Sequence, residues 1–261
     1  MTLTDSADAV VAGLDGTRSD LEDFYKDLHA HPELSHQEHR TGARVTERLK
    51  SWNYQVHEGV GGTGVVGVLA NGDGPTVLLR ADMDALPVRE DTGLPYASTV
   101  TATDASGRQV PVAHACGHDM HVTCLLGTAR LMAAARKPWQ GTLVALFQPA
   151  EESGDGADRM LADGLTDRVP RPDVAFAQHV LPHPAGQVGT RAGSFLSAAD
   201  NAKITLYGRG AHGSAPQAAV DPVVMASVIV VRLQTIVSRE LAPPSPRSSL
   251  WAPSRRARAA M

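Results

Sequence analysis

Six residues, His114-Ala115-Cys116-Gly117-His118-Asp119, set a thiol and an imidazole two positions apart, and the carboxylate pair Glu151-Glu152 and then His179 follow downstream. In an extended or looped segment, side chains two apart point the same way, so Cys116 and His118 can enter one cavity and grip a transition metal. In the carboxylate pair one oxygen donor can hold metal while its neighbour stays free to move a proton. His179 adds another nitrogen donor. A lone Cys is usually a small buried hydrophobe, and a lone His a satisfied surface or core residue. The combination in this order is far more specific, and it points to a metal-dependent hydrolytic site.

The pattern around these donors is that of an α/β fold. Helices are predicted over Asp20–Leu28 and Glu38–Trp52, the second with Ala43, Val45, Leu49 and Trp52 at apolar positions. His29, His31, His36 and His39 fall between or on them and read as solvated or capping residues. Beyond Trp52 the period changes to extended. Gly64–Ala70 and Thr76–Arg80 are β-branched and aliphatic, joined by Asn71-Gly72-Asp73-Gly74, which signals a hairpin. Further strands are predicted over Thr142–Gln148 and Val174–Gln178, with an Ala- and Leu-rich buried helix, Met120–Arg136, before them. Strands alternating with helices, with polar chemistry just after the strands, argue for a sandwich whose site lies at strand ends. Asp82 and Asp84 follow a strand and point toward that site. Asp84 is expected to orient a ligand imidazole, with Asp82 assisting. Asp119 reads as the N-cap of its helix.

A second unit is expected from about Gly189, with a strand over Asn201–Tyr207, a turn at Gly208-Arg209-Gly210 and a helix over Asp221–Ser238. That divides the chain into 1–188, 189–241 and a tail, 242–261. The tail carries four Pro and four Arg with no acidic residue, against a net charge of −4 for the chain. Such a segment has little to bury and is expected to be disordered. Its abrupt change of composition is also what a shifted reading frame would produce.

Composition excludes other classes. The 261 residues suffice for one large domain or two modest ones. A net charge of −4 gives no electrostatic case for nucleic acid or an anionic membrane. No apolar run approaches the roughly 20 residues of a membrane span, and Met1–Leu14 does not resemble a secretion signal, so a cytoplasmic location is the default expectation. Two cysteines are too few for a disulfide framework. Cys124, between Thr123 and Leu125, reads as a buried helix residue. Gly59-Val60-Gly61-Gly62-Thr63-Gly64 has the spacing of a dinucleotide fingerprint, but a strand follows where that motif needs a helix N-terminus, so it reads as a loop.

Arg80-Ala81-Asp82-Met83-Asp84-Ala85-Leu86-Pro87, the His114–Asp119 motif, Gln148-Pro149-Ala150-Glu151-Glu152, Gly210-Ala211-His212-Gly213-Ser214-Ala215-Pro216 and Val220-Asp221-Pro222 share one resemblance. Together they resemble the amidohydrolase branch of the aminoacylase and carboxypeptidase superfamily, which includes hippurate hydrolases, N-acyl-amino-acid amidohydrolases and auxin-conjugate hydrolases. The resemblance implies a mixed-sheet α/β/α metallopeptidase-like catalytic domain with an inserted α+β lid that also forms a homodimer. It implies two divalent ions (zinc, manganese or cobalt) with Cys116, His118, Glu152 and His179 as ligands. Glu151 resembles the general base acting on a metal-activated water. His212 resembles the lid histidine that reaches a neighbouring site and steadies the oxyanion. The substrate class implied is an N-acyl amino acid or a short peptide-like amide.

Members of that family continue through the rest of the lid and back into the catalytic domain, where another histidine completes the metal pair. Here nothing after Leu241 resembles that segment, and no histidine follows His212. Both domains are therefore expected to be incomplete, with a sheet edge and apolar surface uncovered. Two other readings stay open at this point. One is a catalytically inactive metal-binding fragment of such an enzyme. The other is a cysteine hydrolase using Cys116 with His118 or His179.

Overall fold

A computed structural model describes residues 3–190, 192–193 and 202–240, in two compact units, Met1–Pro182 and His183–Met261. The tail 242–261 lies outside the described residues. The first unit opens with helices α1 (Leu3–Val11), α2 (Arg18–Ala30) and α3 (His39–Ser51). Strands β1 (Gln55–Val60), β2 (Gly64–Asn71) and β3 (Thr76–Asp82) follow, then the short strands β4 (Thr101–Thr103) and β5 (Gln109–Pro111). Helix α4 (His118–Ala134), strand β6 (Gly141–Gln148), helices α5 (Gly156–Ala162) and α6 (Leu165–Arg168) and strand β7 (Val174–Ala177) complete it.

The main sheet has the order β1-β2-β6-β3-β7. It overturns the predicted hairpin, because β6 lies between β2 and β3, antiparallel to the first and parallel to the second. The Asn71–Gly74 turn reverses the chain but leaves a strand's width open. The most apolar strand fills that gap, and β6 is buried along nearly its whole length. The true hairpin joins β1, which the sequence pattern did not reveal, to β2 through the turn Gly61-Gly62-Thr63. At Gly61, with φ +69°, a Cβ would sit 2.6 Å from the Met160 backbone nitrogen, so this turn depends on glycine.

Alternation along the sheet divides the core in two. Leu143, Ala145 and Phe147 pack with Val65 and Leu69 against Phe24, Leu28, Val45, Leu49, Val122 and Leu126 of the helices. Val144, Leu146, Val60 and Val66 face the other way, toward Met160 and Leu165. The result is a three-layer, mixed-sheet α/β/α arrangement. Because β3, β6 and β7 run parallel, with Asp82 beside Gln148 and Arg80 beside Ala177, their C-terminal ends share one edge of the sheet. Strand β7 is the outer strand, and its Phe176 is 56% exposed.

Three sequence readings fail on this unit. Cys124 is exposed and lines a groove of about 530 Å³ with Leu14, Leu21, Tyr25 and Leu131, on the face of α4 turned from the sheet. His29 is buried rather than solvated, and His36 is half-buried against Asp155. Asp119 is not the N-cap of α4; Gly117 holds that position in a left-handed conformation, and the Asp119 carboxylate meets His29 through one oxygen and accepts from the Met120 amide through the other.

In the second unit the described residues hold one long helix, α7 (Pro222–Thr235), continued by a wider π-helical turn over Ile236–Glu240. Asp221 caps it, its carboxylate accepting from the amides of Val223 and Val224. The predicted strand over Asn201–Tyr207 is absent from 202–207, and Asn201 lies outside the described residues. A strand needs a neighbour, and the β-bridge described in this unit is Arg209 with Val220. Pro222–Glu240 also corrects the expectation on apolar runs. At 19 residues and mean hydropathy 1.4 it is long and apolar enough to cross a membrane by length and composition alone. Arg232, Gln234 and the closing Ser238-Arg239-Glu240 interrupt its apolar run, which concealed it.

Candidate metal centre

The shared edge of β3, β6 and β7 gathers the donors. Asp82 ends β3 and Asp84 follows it, Glu151 and Glu152 follow β6, His179 follows β7, and Cys116 and His118 lie at the entrance to α4. The Cys116 thiol lies 3.4 Å from His179 Nε2. His118 Nε2 is 3.9 Å from an oxygen of Glu151 and 3.9 Å from one of Glu152. Ligand atoms of Cys116, His118 and His179 all lie within 4.8 Å of one another, and so do those of His118, Glu151 and Glu152. These two sets contain the four sequence-predicted ligands and the predicted base.

The imidazoles are oriented by their far nitrogens. His118 Nδ1 donates to the Asp84 carbonyl at 2.8 Å, and His179 Nδ1 donates to the Val180 carbonyl at 2.7 Å. A carbonyl cannot donate, so each ring presents the lone pair of Nε2 to the cavity. His118 is fully buried, yet its Nε2 has no hydrogen-bond partner. A buried nitrogen without a partner is costly. Here it faces carboxylates, which cannot donate to it in their ionised form. A cation among these groups would satisfy both needs, so the donor set fits divalent metal.

The acidic side of the site is built by backbone as much as by side chains. Ala150 has φ +53°, a strained value for a residue with a Cβ, and it turns the chain so that three successive amides face inward. Glu38 accepts from Ala150 N at 2.8 Å, and the two oxygens of Asp84 accept from Glu151 N at 3.1 Å and Glu152 N at 2.9 Å. Asp84 also takes a 2.7 Å bond from Ser35 Oγ. Burial works against its charge, but His118, Ser35 and these amides hold its carboxyl below the usual range.

Charge shapes the remaining groups. Burial opposes ionisation of Asp82, but the bond to the His121 ring, the neighbouring His118 and the charge of Arg80 hold its carboxyl down to about 2. Burial also disfavours a charged His118, and the Asp84 and Asp82 carboxylates overcome this and raise its pKa. Burial, then the nearby Glu152 and Glu151, push the Cys116 thiol up to about 12. A thiol so raised is the reverse of an activated nucleophile, which argues against the cysteine-hydrolase reading. His114 is buried with neither ring nitrogen partnered, and burial lowers it to about 4.

His212 belongs to the second unit, where its ring meets Ser214 Oγ at 2.7 Å. Two residues of the first unit were missed from sequence. His121 stands three positions after His118 on α4, hence on the same face, a spacing that was available as a signal. Glu38 gave no local signal, because its partners Thr63 and Ala150 are far away in the chain.

Residues 78–250 match the model of Peptidase family M20/M25/M40. The chain is 41% identical over 218 residues to an N-acetyl-L-cysteine deacetylase of Bacillus subtilis, covering 83% of this chain and 50% of that protein. It is 40% identical over 228 residues to a hippurate hydrolase of Campylobacter jejuni, covering 87% and 56%. It thus spans about half the length of these curated relatives. Among solved structures it resembles a putative aminohydrolase from methicillin-resistant Staphylococcus aureus, with TM-score 0.71, 33% identity and coverage of 90% of this chain and 60% of that one. A dinuclear metal-binding M20 peptidase from Bacillus subtilis is similar at TM-score 0.56 and 36% identity, over 64% of this chain and 44% of that one.

Proposed function

The chain belongs to peptidase family M20/M25/M40, and from that premise we propose that it carries the metal-holding and proton-transfer groups of an amidohydrolase acting on N-acyl amino acids. The observation that carries this reading is the unpartnered, fully buried Nε2 of His118 among Cys116, His179, Glu151 and Glu152. Cys116, His118, Glu152 and His179 would hold two divalent ions of the zinc, manganese or cobalt type. Such ions polarise an amide carbonyl and let water act as a nucleophile at neutral pH.

The chain's own groups do the rest. Glu151, next to the ligand Glu152 and held through its amide by Asp84, takes the proton of the attacking water and returns it to the leaving amine. Asp84 also holds His118 in the tautomer that leaves Nε2 free. His212 donates to the oxyanion in a homodimer built through the second unit. Two named relatives, a hippurate hydrolase and an N-acetyl-L-cysteine deacetylase, support this substrate class.

Glu151→Gln tests the base directly. A general base is worth about 10²–10⁴ in rate, so the variant should lose that factor against a panel of N-acyl amino acids while retaining wild-type metal content. Wild-type turnover by the variant would refute the assignment.

A further inference from the structure

His121 forms a third donor set with Asp82 and His118, all three buried and within 4.8 Å. The hydrogen bonds decide whether it is a ligand. Its Nδ1 lies 2.6 Å from Asp82 Oδ1, and its Nε2 accepts the Val180 backbone N–H at 2.9 Å. An N–H can only donate, so Nε2 carries the lone pair and Nδ1 carries the proton that Asp82 receives. Both ring nitrogens are therefore in use, and neither is left for a metal.

Those two bonds link the sheet to the segment bearing His179. Asp82 is itself fixed by Arg80 Nη1 at 2.7 Å, and Arg80 Nε is tied to the Gln148 side chain at 3.0 Å. At the other end, β7 stops at Ala177, so the ladder no longer holds His179 or Val180. Beyond it, the Val180 amide is held by the long-range hydrogen bond it donates to His121. The two rings also meet edge to face, with His121 and His179 centroids 4.7 Å apart. Val180 further packs on Gly117, the residue between Cys116 and His118.

We propose that His121 is a positioning residue, which, braced by Asp82, holds the Val180 amide and so fixes where His179 presents its Nε2. The proposal rests on His179 being a ligand. Losing an outer partner of a metal ligand typically costs 10–100-fold in affinity.

The test uses the full chain and Co²⁺ alone, with affinity read by chelator competition and ligand geometry by the visible spectrum. His121→Gln can still accept from Val180, whereas His121→Asn reaches only Asp82. The Gln variant should stay within about threefold of wild type with an unchanged spectrum, and the Asn and Ala variants should bind at least tenfold more weakly. Equal losses for Gln and Ala, or wild-type binding by Ala, would overturn the proposal. Wild-type chain loaded with ¹¹³Cd after ¹⁵N-histidine labelling gives a readout independent of any variant. Coupling is expected at Nε2 of His118 and His179 and none at His121; coupling at His121 would make it a ligand and end the proposal. His179→Ala separates the two levels: unchanged affinity and spectrum there would remove the ligand reading itself, and this inference with it.

Discussion

Replacing Glu38 with alanine removes the carboxylate that holds the strained turn before Glu151. Glu38 is fully buried, accepting from the Ala150 amide at 2.8 Å and from Thr63 Oγ1 at 2.5 Å. Ala150 and Thr63 are themselves buried, so no water replaces the lost acceptor without a rearrangement. A buried donor left unpaired costs about 1–3 kcal/mol, which gives about 2–6 kcal/mol for the two. Part is returned, because burial penalises the Glu38 charge and pushes its carboxyl up despite the bonds from Thr63 and the backbone. A net loss of about 2–4 kcal/mol follows, a large share of the roughly 5–15 kcal/mol that holds a domain together. Glu38→Gln keeps an oxygen for Ala150, and its amide can donate to Thr63, so it should lie within about 1 kcal/mol of wild type. The raised pKa has a sign. The folded state favours the protonated form, so this contribution is full below about pH 4.3 and is lost as pH climbs through the raised value. The Gln variant should lack that slope. Urea unfolding followed by circular dichroism measures both. An Ala variant less than about 1 kcal/mol below wild type, or a Gln variant as weak as Ala, would refute the clamp.

Burial disfavours a charged His29, yet bonds to Glu90 and Asp119 raise its pKa, so its contribution to stability is full below about pH 6.5 and is lost as pH rises through the raised value. His29→Gln should remove that loss in urea titrations run across neutral pH. Gly117 has φ +82°, and a Cβ there would lie 2.2 Å from Val180 Cγ2. Gly117→Ala should cost at least about 1–2 kcal/mol in thermal or urea unfolding and lower metal affinity as well; full retention of both would show that the loop relaxes freely. Because its thiol is pushed up to about 12, Cys116 in metal-free protein should alkylate with iodoacetamide far more slowly at pH 8 than free cysteine does. Mass mapping can separate it from the exposed Cys124.

What the sequence disclosed and what it hid differ by the range of the interaction. Ligand chemistry is local: Cys116 with His118 and Glu151 with Glu152 each declare themselves within three residues, and the strands before them are legible by period. Strand order is not local. The Asn71–Gly74 turn looked like a closed hairpin because nothing in β2 or β3 says that β6, some 70 residues on, inserts between them. The same limit hid the supports of the site. Asp82 and His121 lie 39 positions apart, Glu38 and Ala150 112 apart, and His29 and Asp119 90 apart, each pairing made by the fold. Asp119 shows the consequence: beside a helix start, a carboxylate reads as a cap, but the helix begins one residue earlier and the fold brings His29 to one carboxylate oxygen while Met120 N donates to the other. The residues that hold metal are thus readable one segment at a time, whereas those that aim them are defined only once β3, α4, β6 and β7 have met.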